Sequence, residues 1–156
     1  MQSRREVLSR SMAVAGLMAG AGLLPGIVLG QDAPGFNKAA FDAKSIADAM
    51  AALGASAPQE SKDVTLQGPD IAENGAVVPI GAATTLPGVK RMLILVEKNP
   101  SVLTSLFEIS DAVEPAVATR VKMGQSSNVY AVAMMNDGRT LFAQKEVKVT
   151  LGGCGG

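Results

Sequence analysis

Hydrophobic and polar positions along the chain change their period near residue 58. Between residues 36 and 53, apolar side chains recur at three- and four-residue steps, which is typical of one face of an amphipathic helix. The predicted apolar face consists of Phe36, Ala39, Ala43, Ile46, Ala47, Met50 and Leu53. Gly54 then provides a natural stop. The pattern predicts an N-terminal helix that packs on the main domain or, alternatively, helps to hold a partner subunit.

After Pro58 the pattern becomes one of strands separated by turns. The predicted strands are residues 63–67, 76–80, 92–96, 117–123, 129–135 and 140–151, with an ambiguous short run at 103–109. The continuously apolar run 92–96 is typical of a strand covered on both faces, whereas Pro79 favours a sheet edge or a bulge for its strand. Residues 136–138, Asn-Asp-Gly, are a strong hairpin signal. About seven strands without intervening helices predict a mainly β chain, an immunoglobulin-like antiparallel β-sandwich with an N-terminal helix.

The composition closes most enzyme chemistry to this chain on its own. Histidine is absent from the 156 residues, which excludes Ser-His-Asp and Cys-His catalysis and removes the commonest metal ligand. The single cysteine cannot form an internal disulfide, an iron–sulfur cluster or a cysteine-based zinc site. A formal net charge of +0 offers no basic field for nucleic acid. We therefore expect no catalytic residue, no metal site and no nucleic-acid partner.

The first thirty residues predict an export signal. Arg4 and Arg5 precede the uncharged residues 11–30, which are rich in Ala, Gly and Leu, and this arrangement is typical of the bacterial twin-arginine pathway. The alternative is a transmembrane anchor, because the stretch is nearly long enough to span a bilayer. Several residues weaken a spanning helix: Gly16, Gly20, Gly22, Pro25 and Gly26. We expect cleavage, a mildly acidic mature chain in the periplasm, and no stable membrane insertion.

The last five residues place the only cysteine between four glycines: Gly152, Gly153, Cys154, Gly155 and Gly156. Because glycine has the widest backbone freedom, we expect a flexible swinging arm that carries Cys154 roughly 13 Å beyond Thr150. An unpaired thiol in an oxidising compartment needs an explanation. The arm holds no basic side chain, and the nearby terminal carboxylate disfavours ionisation of the thiol. Activation must therefore come from a partner's site, as for a carrier rather than an enzyme.

The sequence thus divides into four segments: an export signal (1–30), an N-terminal helical segment (31–58), a β-sandwich (59–151) and the arm (152–156). Two alternatives remain open. The terminal Gly155-Gly156 is also the ending of ubiquitin-like carriers that hold sulfur as a thiocarboxylate, although an export signal argues against this because their adenylating enzymes and ATP are cytoplasmic. The chain could also be a non-catalytic immunoglobulin-like assembly subunit. Residues 70–74 and 97–99 shape either a docking face or ordinary solvated turns.

Several motifs resemble the SoxY family, the sulfur-carrier subunits of the bacterial thiosulfate-oxidising (Sox) system: residues 69–79, 86–88, 96–100, 119–124 and 145–156. The resemblance implies an immunoglobulin-like, non-enzymatic carrier whose Cys154 is the covalent attachment site for sulfur intermediates, with no other cofactor. It further implies a heterodimer with a SoxZ-like subunit. In the system that the resemblance implies, a SoxAX-like cytochrome joins thiosulfate to the thiol and a SoxB-like hydrolase releases sulfate. Where present, a SoxCD-like dehydrogenase oxidises the remaining sulfane sulfur.

Overall fold

The computed structural model describes residues 36–151, so the predicted export signal and the predicted arm lie outside the described residues. Within this range two short helices precede the strands. The helices are α1 (Lys38–Asp42) and α2 (Ile46–Ala52). The strands are β1 (Gln59–Glu60), β2 (Val64–Gln67), β3 (Ile71–Asn74), β4 (Val78–Thr84), β5 (Val89–Val96), β6 (Leu103–Glu108), β7 (Ala116–Val121), β8 (Ser127–Met135) and β9 (Thr140–Leu151).

The N-terminal segment contains two short helices in place of the one predicted over residues 36–53. Ser45 begins α2 because its hydroxyl accepts a hydrogen bond from the backbone N–H of Asp48 at 3.1 Å, which is typical N-capping. Residues 43–45 separate the two helices, so the second helix turns different side chains towards the sheet than one continuous helix would. The prediction of a single apolar face was therefore wrong in part. Phe36, Ala39 and Ala47 are exposed, and the alanines buried against the sheet are Ala40, Ala43 and Ala49.

The larger sheet has the order β1-β9-β8-β5-β6, and β3 also pairs with β9. At its centre, residues 92–96 of β5 are completely buried. Their side chains alternate between two cores, as expected for a strand. Met92, Ile94 and Val96 belong to the core between the sheets, whereas Leu93 and Leu95 pack in a second core with the helices. The prediction that this strand is covered on both faces is confirmed.

The smaller sheet has the order β2-β4-β7, so β4 is its central strand and the prediction of a sheet edge for residues 76–80 was wrong. Pro79 is accommodated because β2 ends opposite Gly81 and leaves the proline without a paired strand residue on that side. Successive backbone nitrogens of a strand face its two neighbouring strands in turn. Thr84 donates its N–H to the carbonyl of Pro115, on the side of β7. Pro79 is an odd number of residues from Thr84, so its nitrogen faces the opposite, open side. The missing N–H therefore costs no ladder hydrogen bond.

The two sheets enclose a common core, and the chain has the immunoglobulin-like sandwich fold that the strand pattern predicts. The β8–β9 hairpin turns at Asn136–Gly138 as predicted, with Gly138 at φ 90°. Two short pairs depart from the antiparallel pattern, because β1 and β3 both run parallel to β9. Between residues 36 and 151, no helix is long and apolar enough to cross a membrane.

An ion pair fixes the start of β3 beside β9. The Lys145 Nζ donates to the carbonyl oxygen of Gly68 at 2.6 Å and lies 2.8 Å from Oδ1 of Asp70. The hydrogen bond from Lys145, followed by its positive charge, lowers the pKa of Asp70. Because the pKa is lowered in the folded state, this pair stabilises the fold above the ordinary carboxyl pKa of 3.8, and the contribution is lost as the pH falls through the lowered value.

We therefore expect Asp70→Asn to lower the free energy of unfolding at pH 7, and to lower it by less as the pH falls towards 3. The effect is small because Asp70 is exposed. Urea denaturation at several pH values measures it. Asp111→Asn is the matched control, since Asp111 is exposed and forms no salt bridge within the described residues. A difference between the two variants that stays constant with pH would contradict the assignment.

Candidate functional site

The last strand carries the chain towards its predicted site at one end of the sandwich. The residues predicted to form that site lie outside the described residues: Gly152, Gly153, Cys154, Gly155 and Gly156. Leu151, the last described residue, accepts a hydrogen bond through its carbonyl from the N–H of Gly75 at 2.8 Å. The Thr150 Oγ1 donates to the carbonyl of Glu73 at 3.0 Å. Strand β3 therefore holds β9 up to the residue that precedes Gly152.

Three loops meet at this end, and together we call them the collar: residues 75–77 between β3 and β4, 97–102 between β5 and β6, and 122–126 between β7 and β8. The Gly75 carbonyl accepts a hydrogen bond from Met123 N at 2.7 Å. The Asn99 Nδ2 in turn donates to the carbonyl of Lys122 at 2.7 Å. Hydrogen bonds thus connect Leu151 through Gly75 to the other two loops.

The collar unites sequence motifs that are far apart along the chain. Residues 69–79, 96–100 and 119–124 all contribute to it, and the described part of the motif 145–156 ends beside it at Leu151. The remaining motif, 86–88, lies at the opposite end of the strands, where the Gly88 carbonyl accepts a hydrogen bond from Asn136 N at 2.8 Å. The sequence identified these motifs, but only strand pairing shows which of them share one end of the sandwich.

The charged side chains of the collar are exposed. Glu97 accepts a hydrogen bond through Oε2 from Nδ2 of Asn128 at 3.0 Å. Lys98 and Lys122 form no salt bridge within residues 36–151. The backbone beneath Lys98 is fixed, since its N–H donates to Ser127 Oγ at 3.0 Å. The two ammonium groups can therefore face solvent or an approaching protein without breaking an existing ion pair.

Exposed apolar side chains lie beside the collar loops. Val77 is 53% exposed and Leu151 is 70% exposed. Both neighbour Asn74, because Leu151 is its register partner in β9 and Val77 N donates to its carbonyl at 3.4 Å. Exposed apolar residues that cluster in this way mark contact surfaces more often than isolated ones do.

The described residues show no constellation for catalysis. Between residues 36 and 151, no group of three or more acidic, histidine or cysteine side chains could hold a metal ion. An open groove of about 460 Å³ lies along the outer face of the smaller sheet, and among the described residues that line it Arg120 alone is charged. One guanidinium group without a partner carboxylate offers no acid–base pair.

Comparison with family models and comparison with solved structures lead to the same protein family. The family model of sulfur oxidation protein SoxY matches residues 49–154. The solved structure of the sulfur carrier protein SoxY from Chlorobium limicola f thiosulfatophilum is similar, with a TM-score of 0.59 and 34% identity, over 65% of this chain and 92% of that chain. A superoxide reductase (neelaredoxin) from Ignicoccus hospitalis has a TM-score of 0.50 at 15% identity, over 55% of this chain and 79% of that chain, and shares the fold alone. No curated protein matches.

Proposed function

Because the chain belongs to the SoxY family of sulfur carrier proteins, we propose that it holds intermediates of thiosulfate and sulfur oxidation covalently on Cys154 and presents them to Sox enzymes in the periplasm. One observation carries the proposal: the family match extends to residue 154, and Cys154 is the only cysteine of the chain. A thiolate is the group that exchanges and forms sulfur–sulfur bonds. Cys154 is therefore the one residue able to carry sulfur in this way.

The chemistry of the carried group explains why partners are needed. Loading joins the Cys154 sulfur to the sulfane sulfur of thiosulfate, and the thiol proton and two electrons leave, the electrons going to a SoxAX-like cytochrome. Water then cleaves the bond to the sulfonate group, which releases sulfate and a proton and leaves a persulfide on Cys154. A SoxB-like hydrolase is the proposed agent of this step. A SoxCD-like dehydrogenase, where present, oxidises the remaining sulfane sulfur.

The fold supports a presenting role because it supplies a firm base for a short arm. Strand β9 is paired with β8 over Thr140–Val147 and with β3 from Lys148 to Leu151. From Leu151 the backbone of Cys154 can extend about 10 Å. The fixed end of β9 and the length of the arm thus limit where the carried sulfur can lie. Because glycine has no side chain, the arm adds little bulk for a narrow site to admit.

The proposal includes two further parts. The mature chain begins after the twin-arginine signal of residues 1–30 and works in the periplasm. It also pairs with a SoxZ-like subunit, in keeping with the Sox partners that the family implies. Periplasmic fractionation followed by N-terminal sequencing tests the first part, and co-purification of a second small subunit tests the other.

Mass spectrometry of the protein from thiosulfate-grown cells tests the carrier function. We expect the C-terminal peptide to carry sulfane sulfur or a thiosulfonate group on Cys154, and dithiothreitol to remove it. Protein from cells grown without reduced sulfur is the control. An adduct on the Gly156 carboxylate would favour a thiocarboxylate carrier instead. The absence of any adduct during active thiosulfate oxidation would contradict both and leave an assembly subunit.

A further inference from the structure

The reach of the arm limits where a partner can touch this protein. Cys154 follows Leu151 by three residues, so its backbone extends at most about 10 Å from the end of β9. A partner that takes the sulfur into a recessed site must bring the entrance of that site within this distance. The surface around Leu151 therefore has to face the partner whenever such a site is occupied.

The collar loops at Gly75 and Met123 lie within that distance. Gly75 N is 2.8 Å from the Leu151 carbonyl oxygen, and the Gly75 carbonyl oxygen is 2.7 Å from Met123 N. Since one residue intervenes, Met123 N is at most about 9 Å from the end of β9. Lys122 is the adjacent residue, and its carbonyl is bound by Asn99. The contact surface that the reach requires is thus formed by named loops.

The composition of this surface is suited to docking. Val77 and Leu151 provide exposed apolar area, and Lys98 and Lys122 provide charges without an ion pair within the described residues. Interfaces commonly combine an apolar centre with charges that steer the approach. The hydrogen bonds that join the loops fix the backbone in advance, so little ordering is required on contact.

On the basis of the proposed carrier function, we propose that Val77, Leu151, Lys98 and Lys122 form the docking surface for partner proteins that draw Cys154 into a recessed site. The matching entrance carries apolar side chains opposite Val77 and Leu151 and carboxylates opposite the two lysines. Docking on the collar and insertion of the arm are thus parts of one binding event, in which the collar supplies affinity and the arm supplies the reacting sulfur.

Two charge-altering variants test the surface: Val77→Asp, and Lys98→Glu combined with Lys122→Glu. Matched controls lie at the opposite end of the sandwich: Val113→Asp, where Val113 is 57% exposed, and Lys62→Glu combined with Lys90→Glu. The mature chain, purified together with the small subunit with which it pairs, is assayed with a thiosulfate-loading cytochrome of the Sox system. We expect kcat/KM for loading to fall at least about tenfold in the collar variants, mainly through KM, and less than about twofold in the controls.

One further measurement, together with the loading assay, separates the possible failures. Modification of Cys154 by a small disulfide reagent requires no docking, so its rate is expected to stay within about twofold of the unaltered chain in every variant. Equal loading of collar and control variants would overturn the docking surface while leaving the carrier function intact. Failure of the unaltered chain to be loaded at all would instead refute the carrier function.

Lengthening the arm provides an independent test. Six added Gly and Ser residues between Leu151 and Gly152 let Cys154 enter a partner's site without contact between the collar and the entrance. In this longer chain, Val77→Asp is expected to reduce loading by less than about threefold. A loss as large as in the normal chain would show that Val77 acts elsewhere, for example in a permanent subunit interface, and would overturn the proposal.

Discussion

Replacement of Cys154 by serine is expected to reduce sulfur loading to the detection limit, and with it thiosulfate oxidation by cells that depend on this chain. Serine keeps nearly the same size, but its hydroxyl does not form the sulfur–sulfur bond on which loading depends. No second cysteine can replace it, because the sequence contains one. Mass spectrometry of the C-terminal peptide and thiosulfate consumption by complemented cells measure the two effects.

The control for this variant is its folding stability. The two cores of the described fold contain no residue beyond Val149, so we expect the urea unfolding curve of Cys154→Ser to match that of the unaltered chain within about 0.5 kcal/mol. A variant that folds normally and still carries thiosulfate-derived sulfur would contradict the attachment site. A variant that unfolds early would call for Cys154→Ala as the replacement.

Ile94→Ala is expected to lower the free energy of unfolding by about 3 to 4 kcal/mol. Ile94 is completely buried in the middle of β5, where Ser105 of β6 and Ala131 of β8 flank it and its side chain packs in the core between the sheets. Truncation leaves a cavity, because paired strands on both sides prevent collapse. This loss is a large fraction of the roughly 5 to 15 kcal/mol that stabilises a typical domain.

Ile71→Ala removes the same atoms from a different environment and is the matched control. Ile71 is 58% exposed in β3, so we expect a loss below about 1 kcal/mol in the same urea experiment. Comparable losses at the two positions would contradict the placement of β5 at the centre of the larger sheet.

The parts of the fold that local pattern determines were predicted from the sequence. Alternation identified β9 over residues 140–151, and the continuously apolar run identified the buried part of β5. Turn chemistry located the hairpin at Gly138. The prediction of a single N-terminal helix was wrong because apolar spacing indicates a helical period but does not show where one helix ends and the next begins. Ser45 and Asp48 already carried the signal for a new helix start.

The parts that depend on long-range pairing could not be predicted. Pro79 suggested a sheet edge, yet β4 is central because it pairs with both β2 and β7, and it tolerates the proline because β2 covers only part of its length. The collar depends in the same way on the register of β9 with β3, which places Leu151 opposite Asn74. The choice of Cys154 as the attachment site came from the single cysteine between glycines and from the resemblance of the sequence motifs to the SoxY family. It remains a prediction, as do the arm and the export signal, because these residues lie outside the described range.

The pairing of β9 on both of its edges has a mechanical consequence. A partner that holds the arm applies force along the axis of β9. This strand is hydrogen-bonded to β8 over Thr140–Val147 on one edge and to β3 from Lys148 to Leu151 on the other. Tension in this direction loads many backbone hydrogen bonds in shear at once, whereas a strand peeled from its end loses them one at a time. We expect β9 to stay paired under repeated force along its axis as successive partners bind and release the carried sulfur.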